Sequence, residues 1–154
     1  MLGLTQELGG TGMTTIRWGI LGAAAFARDE MAPALHAARQ SKLAALATSR
    51  PEKAAPFRAL DDDLSVFDSY DALLADPGVD AVYIPLPNSM HVSWTRKALE
   101  AGKHVLTEKP IAMRAEEIDD LIALRDETGL VAAEAYMIVH HPQWTQVRDW
   151  VKTG

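Results

Sequence analysis

Short apolar runs separated by segments of helical periodicity recur along almost the whole chain, and this alternation restricts the fold more than any other feature. The runs at 16–21, 43–48, 65–67, 80–86, 103–107 and 130–137 have the length and residue types of strands. Between them, 26–40, 52–60, 70–75, 89–101 and 115–128 read as helices or helical turns, and a last helix begins near Pro142. Within 115–128, Ile118, Leu121 and Ile122 recur at helical spacing, and Gly102 and Gly129 stand where a glycine can take the left-handed conformation that stops a helix. Pro33 interrupts the first helical pattern and predicts a kink or a late start. Strands alternating with helices require right-handed crossovers and a parallel sheet covered on both faces. The fold class is therefore α/β, a doubly wound parallel sheet.

A chain of 154 residues holds one such domain, and its opening residues 1–14, glycine-rich and without periodicity, read as a flexible N-terminal extension before a domain at 15–154. No apolar run approaches the roughly 18 residues of a membrane span, and the start lacks the basic and apolar regions of a signal peptide. This points to the cytoplasm and to no membrane partner. Cysteine is absent, which excludes disulfides and thiolate metal ligands. His140 and His141 have no further ligands at metal spacing, so no metal is expected. The net charge of −6, with no basic stripe, argues against nucleic acid and for a small-molecule partner.

The first strand runs into Gly19-Ile-Leu-Gly22-Ala23-Ala24-Ala25-Phe26-Ala27, where Gly22, Ala24 and Ala27 fill the three small positions of the G-x-G-x-x-G/A turn. Free N–H groups and the helix dipole attract an anion there if no bulky side chain blocks the backbone. This is the pyrophosphate turn of an NAD(P)-binding Rossmann fold, although a tight turn without a ligand has the same pattern. After the second strand, where an NAD enzyme usually carries an acid for the ribose, the chain reads Thr48-Ser49-Arg50-Pro-Glu-Lys53. A hydroxyl, a guanidinium and an ammonium suit a 2′-phosphate, so NADP is favoured over NAD. Pro85-Leu86-Pro87-Asn88-Ser-Met-His91 and Thr107-Glu108-Lys109-Pro110 follow the next strands at the ends where open α/β sheets bind ligands. Asn88 is placed to cap the following helix, and His91 to pack against the sheet or face the ligand. The Lys109-Pro110 bond is a candidate cis peptide.

These four motifs, in this order and spacing, resemble the glucose-fructose oxidoreductase/inositol dehydrogenase/MocA (Gfo/Idh/MocA) family over about residues 15–154, closest in flavour to its NADP-dependent dihydrodiol and sugar dehydrogenases. The resemblance implies a cofactor held by Gly22, Ala24, Ala25, Phe26, Ser49, Arg50, Lys53, Leu86, Pro87, Asn88, His91, Glu108 and Lys109. Lys109 is then the catalytic group, holding or relaying a proton beside the nicotinamide and the substrate hydroxyl. Val139 departs from the pattern by standing where the family usually has arginine. Family members also continue into a β-rich domain that supplies further catalytic residues, the substrate pocket wall and the subunit interface, and that domain is absent from this sequence.

Two readings follow. The chain is the NADP(H)-binding half of an oxidoreductase acting on a sugar, polyol or dihydrodiol, with a homo-oligomer as a further expectation, or it is a stand-alone NADP(H)-binding module without turnover. A third ligand on the same fold, S-adenosylmethionine, is disfavoured because it has no phosphate for Ser49 and Arg50 to meet.

Overall fold

In the computed structural model, which describes residues 14–154, six strands form one wholly parallel sheet in the order β3-β2-β1-β4-β5-β6. The extension read at 1–14 lies outside the described residues except for its last position. The strands are β1 (Ile16–Leu21), β2 (Ser41–Ala47), β3 (Ser65–Phe67), β4 (Ala81–Ile84), β5 (His104–Thr107) and β6 (Ala132–Glu134). The helices are α1 (Ala32–Ala37), α2 (Ala55–Arg58), α3 (Tyr70–Leu74), α4 (Asn88–Glu100), α5 (Glu116–Thr128) and α6 (Pro142–Thr153). From β1 the chain steps outward to β3 on one side, and from β4 it steps outward to β6 on the other. The junction of β1 and β4 is thus the topological switch point, the place where this architecture leaves a crevice at the strands' carboxyl ends.

The alternation of side chains along the strands, reset in β2 by an irregularity between Leu43 and Ala45, divides the interior into two cores. On one face Ile20, Leu43, Leu46 and Tyr83 pack with Ala27, Ala32 and Phe57 of the first two crossovers. On the other, Leu21, Ala45, Ala47, Val82 and Ile84 pack with Leu73, Leu74, Ala98 and Leu99 from α3 and α4. Burial on both faces is why β1, β2 and β4 read as continuous apolar runs in the sequence.

Several boundaries differ from the sequence expectation for identifiable reasons. The first helix passes through a wide turn, Ala27–Met31, in which the Ala32 N–H reaches back five residues to the Ala27 carbonyl. This distortion lies directly before Pro33, whose ring displaces the backbone it packs on. The helix then stops at Ala37 rather than 40, because Gln40 adopts a positive φ of 60° that swings the chain into β2. β6 ends at Glu134 rather than 137: the Tyr136 N–H turns back to the Glu134 carbonyl, and a 3₁₀ turn, Met137–His140, follows. The two helix stops expected at glycine do occur, with φ of 76° at Gly102 and 66° at Gly129.

One polar group in this frame is buried for structural reasons. Lys103, only 8% exposed, donates from Nζ to the carbonyls of Asp76 and Val79, each at 2.8 Å, and so ties the start of β5 to the turn entering β4. Replacing Lys103 with Met keeps the stem but leaves both carbonyls without their donor. We expect a loss of about 1.5–3 kcal/mol, the range for a hydrogen bond to a charged group, seen as a lower urea midpoint at unchanged slope.

Candidate functional site

The end of β1 is built around Gly22. Its φ is 100°, and a Cβ placed there would stand 3.0 Å from Leu86 Cδ2 and 3.4 Å from the Tyr70 hydroxyl oxygen. The conformation therefore demands glycine, and a larger residue would also have to push Leu86 aside. The Gly22 N–H donates to the Ala47 carbonyl at 2.8 Å, fixing the turn to β2, and the Arg28 N–H donates to the Ala24 carbonyl at 3.0 Å to begin the helix. Amide groups before that first bond have no helical acceptor by geometry, which leaves donors at the mouth of the turn. Ala27 is fully buried against the sheet, as the third small position of the motif requires. Ala25 is exposed and lines neither of the clefts described next.

Beside this turn lies a cleft of about 340 Å³ lined by Gly22, Ala23, Ala24, Ser49, Arg50 and Lys53, with Tyr70 and the Pro85-Leu86-Pro87 segment as its other walls. Thr48, almost wholly buried, accepts the Arg50 N–H on its hydroxyl at 3.2 Å. The Lys53 N–H in turn donates to the Arg50 carbonyl at 2.9 Å. The backbone is thereby pinned while the side chains of Ser49, Arg50 and Lys53 stay exposed. Among the described residues neither cation has a carboxylate partner, and no Asp or Glu lines the cleft. In a chain of net charge −6 this leaves a local positive site.

A second cleft of about 320 Å³ continues past Ala24, Pro85 and Leu86 to Phe26, Asn88, His91, Glu108, Lys109 and Met137. Asn88 does not cap α4, as the sequence reading allowed. Pro87 holds the cap position in extended conformation, its carbonyl accepts the Met90 N–H, and Asn88 becomes the first helical residue with its side chain exposed at the cleft. His91 is fully buried. Its Nε2 lies 2.7 Å from the Leu86 carbonyl and its Nδ1 2.7 Å from the Pro110 carbonyl, so the ring sits between the loops after β4 and β5 and joins them through whichever nitrogen carries the hydrogen.

The loop that carries Lys109 is anchored from three sides. Glu108 accepts the Tyr83 hydroxyl at 2.7 Å on one carboxylate oxygen and the Lys109 N–H at 3.2 Å on the other. Burial and the neighbouring Glu108 carboxylate hold the Tyr83 phenol far above its ordinary pKa, so it remains a fixed donor. Glu134 accepts the Ile111 N–H at 2.9 Å, and His91 meets the Pro110 carbonyl. The Lys109-Pro110 bond is cis. Lys109 itself is exposed at the cleft rim. Sequence reasoning missed Tyr83, which anchors Glu108, and Tyr70, which walls the first cleft. Tyr83 sat unremarked inside a strand, and no motif connects Tyr70 to Gly22.

Residues 16–136 match the family model described as an oxidoreductase family with a NAD-binding Rossmann fold. The chain is 45% identical over 141 residues to a dTDP-3,4-didehydro-2,6-dideoxy-alpha-D-glucose 3-reductase of Streptomyces violaceoruber, covering 90% of this chain and 40% of that protein. It is 41% identical over 128 residues to D-xylose 1-dehydrogenase (NADP(+)) 2 of Haloferax volcanii, covering 81% of this chain and 38% of that one. Among solved structures, KijD10, a 3-ketoreductase from Actinomadura kijaniata in complex with NADP and TDP-benzene, superposes with a TM-score of 0.84 at 39% identity, covering 92% of this chain and 43% of the other. The chain thus spans less than half the length of these relatives.

Proposed function

The chain belongs to the Gfo/Idh/MocA oxidoreductase family, whose NAD-binding Rossmann fold it carries, and from that premise we propose that it is the NADP(H)-binding part of an enzyme that moves hydride between nicotinamide and a hydroxyl carbon of a sugar, polyol or dihydrodiol. The observation that carries the choice of NADP is the first cleft, where Ser49, Arg50 and Lys53 surround a space that no carboxylate lines and neither cation is paired among the described residues. The Gly22 turn suits the rest of the dinucleotide, since Gly22, Ala23 and Ala24 line the same cleft with no side chain larger than a methyl to keep a pyrophosphate from the backbone. When bound, the nicotinamide supplies the hydride chemistry.

The residues of this chain supply placement and a proton. Ser49, Arg50 and Lys53 hold the 2′-phosphate, and Gly22 through Ala24 admit the pyrophosphate. Leu86, Pro87 and Asn88 flank the path towards the second cleft. Lys109 holds or relays the proton of the substrate hydroxyl, and Glu108 and His91 keep its loop in place rather than touching the reacting atoms. The names of the relatives, a keto-sugar reductase and a xylose dehydrogenase, support a sugar as the substrate class.

Exposed apolar residues beyond β6, of which Met137 reaches the second cleft, support a covering domain on this side of the molecule. Tyr136 is 50% exposed, Met137 56%, Val139 57% and Trp144 47%, in one stretch beyond β6. Burial of these groups by a β-rich partner domain or by a second copy of the chain would account for them.

A fluorescence titration of the chain with NADPH and with NADH tests the cofactor assignment. NADPH is expected to bind at least tenfold more tightly, which is about 1.4 kcal/mol. Equal affinities would remove the NADP preference.

A further inference from the structure

Tyr70 stands across the first cleft from the motif residues. Its ring is held from behind by Trp94, with ring centroids 4.9 Å apart and planes at 89°. Trp94 is held in turn by the Lys97 ammonium, 4.3 Å from its ring centroid, and Lys97 pairs with Asp71 at 2.8 Å. An edge-to-face pair backed by a cation–π contact restrains a side chain that is otherwise only half-buried. The phenol therefore points in a set direction.

That direction is towards the Gly22 turn, since the hydroxyl oxygen lies 3.4 Å from where a Cβ would stand on Gly22. Burial pushes the phenol above its ordinary pKa, so it is protonated at neutral pH and offers a hydrogen. Among the described residues no protein acceptor takes that hydrogen. Tyr83 makes the contrast plain, because its hydroxyl is committed to Glu108. A rigid, protonated and unused donor at the wall of an anion-binding turn is an arrangement packing alone does not require.

We infer that Tyr70 is a cofactor-binding residue whose hydroxyl donates a hydrogen bond to the pyrophosphate-bearing stretch that NADH and NADPH share. This rests on the NADP(H) reading and adds a contact to it. Ser49, Arg50 and Lys53 discriminate between the two nucleotides, whereas Tyr70 serves both.

The test is Tyr70→Phe, which keeps the ring against Trp94 and removes only the oxygen. Calorimetric titration of the variant and the unmutated chain with NADPH and with NADH should show both dissociation constants rising by a similar factor of about ten, the scale of a hydrogen bond to a charged acceptor. The melting temperature should stay within about 2 °C, because neither packing nor the charge network has changed. Unchanged affinities overturn the inference. A loss confined to NADPH would assign the hydroxyl to the 2′-phosphate and overturn it as well, and a matching loss with a clear fall in melting temperature would reduce Tyr70 to packing. If the unmutated chain binds neither nucleotide, the parent reading fails, and that result is distinct from a failure of Tyr70 alone.

Discussion

Arg50→Ala should weaken NADPH binding by about 1.5–3 kcal/mol, a factor of ten to a hundred or more, and leave NADH binding nearly unchanged. The reason lies in how the structure divides the work at the end of β2. Thr48 and the Lys53 N–H fix the Arg50 backbone, so the substitution does not release the loop. The guanidinium is exposed and has no carboxylate partner among the described residues, so its removal strands no buried charge. What is lost is a planar fork that meets a phosphate with two parallel hydrogen bonds, and only NADPH presents that phosphate. Because the site is open to water, the loss belongs at the lower end of the range at ordinary salt and shrinks as salt rises. Arg50→Lys should recover part of the affinity, through charge without the fork. Equal losses for the two nucleotides would show that Arg50 contacts the shared part of the dinucleotide and would sink this assignment.

Much of the fold was legible because its cause is local. The ends of β1 and β3 and the glycine stops after α4 and α5 follow from apolar run length and from backbone freedom at single residues. The turn after β1 was legible for the same reason, since Gly22 is required by its own φ. What was misread, left open or missed falls where a distant partner decides. Pro87 takes the cap that Asn88 was expected to hold, because the proline is already extended and its carbonyl is free to accept the Met90 N–H. β6 was read too long because Met137 continues an apolar pattern, whereas the strand ends when the Tyr136 N–H abandons the β5 ladder. His91 offered no local sign that both its nitrogens would meet carbonyls from two separate loops. Tyr70 is the clearest case. Nothing in its own segment marks it, and only the packing of α3 beside β1 brings its hydroxyl to Gly22.

Incubated with NADP and a panel of sugars, polyols and dihydrodiols, residues 1–154 by themselves should generate reduced cofactor at well below the roughly one turnover per second of an ordinary enzyme. Lys109, the proton-handling group of the proposal, is in place, with its loop anchored by Glu108, Glu134 and His91, so on that reading it is not what is lacking. The missing term is placement of the substrate carbon against the nicotinamide. Correct positioning of two reacting groups is worth roughly 7–11 kcal/mol, more than a single lysine at a cleft rim can offset. The second cleft is lined by Phe26, Asn88, Glu108 and Met137 among others, and Lys109 lies exposed at it. A substrate there would be held by few contacts and surrounded by water. Joining the chain to the second half of a relative such as the keto-sugar reductase should restore turnover, and Lys109→Ala should abolish it again while leaving NADPH binding within about threefold, since an exposed lysine at the rim contributes little to holding the dinucleotide. A joined protein that binds NADPH yet stays inactive would favour the non-catalytic carrier reading. Turnover near one per second by residues 1–154 alone, lost in Lys109→Ala, would show that this half-cleft positions substrate unaided.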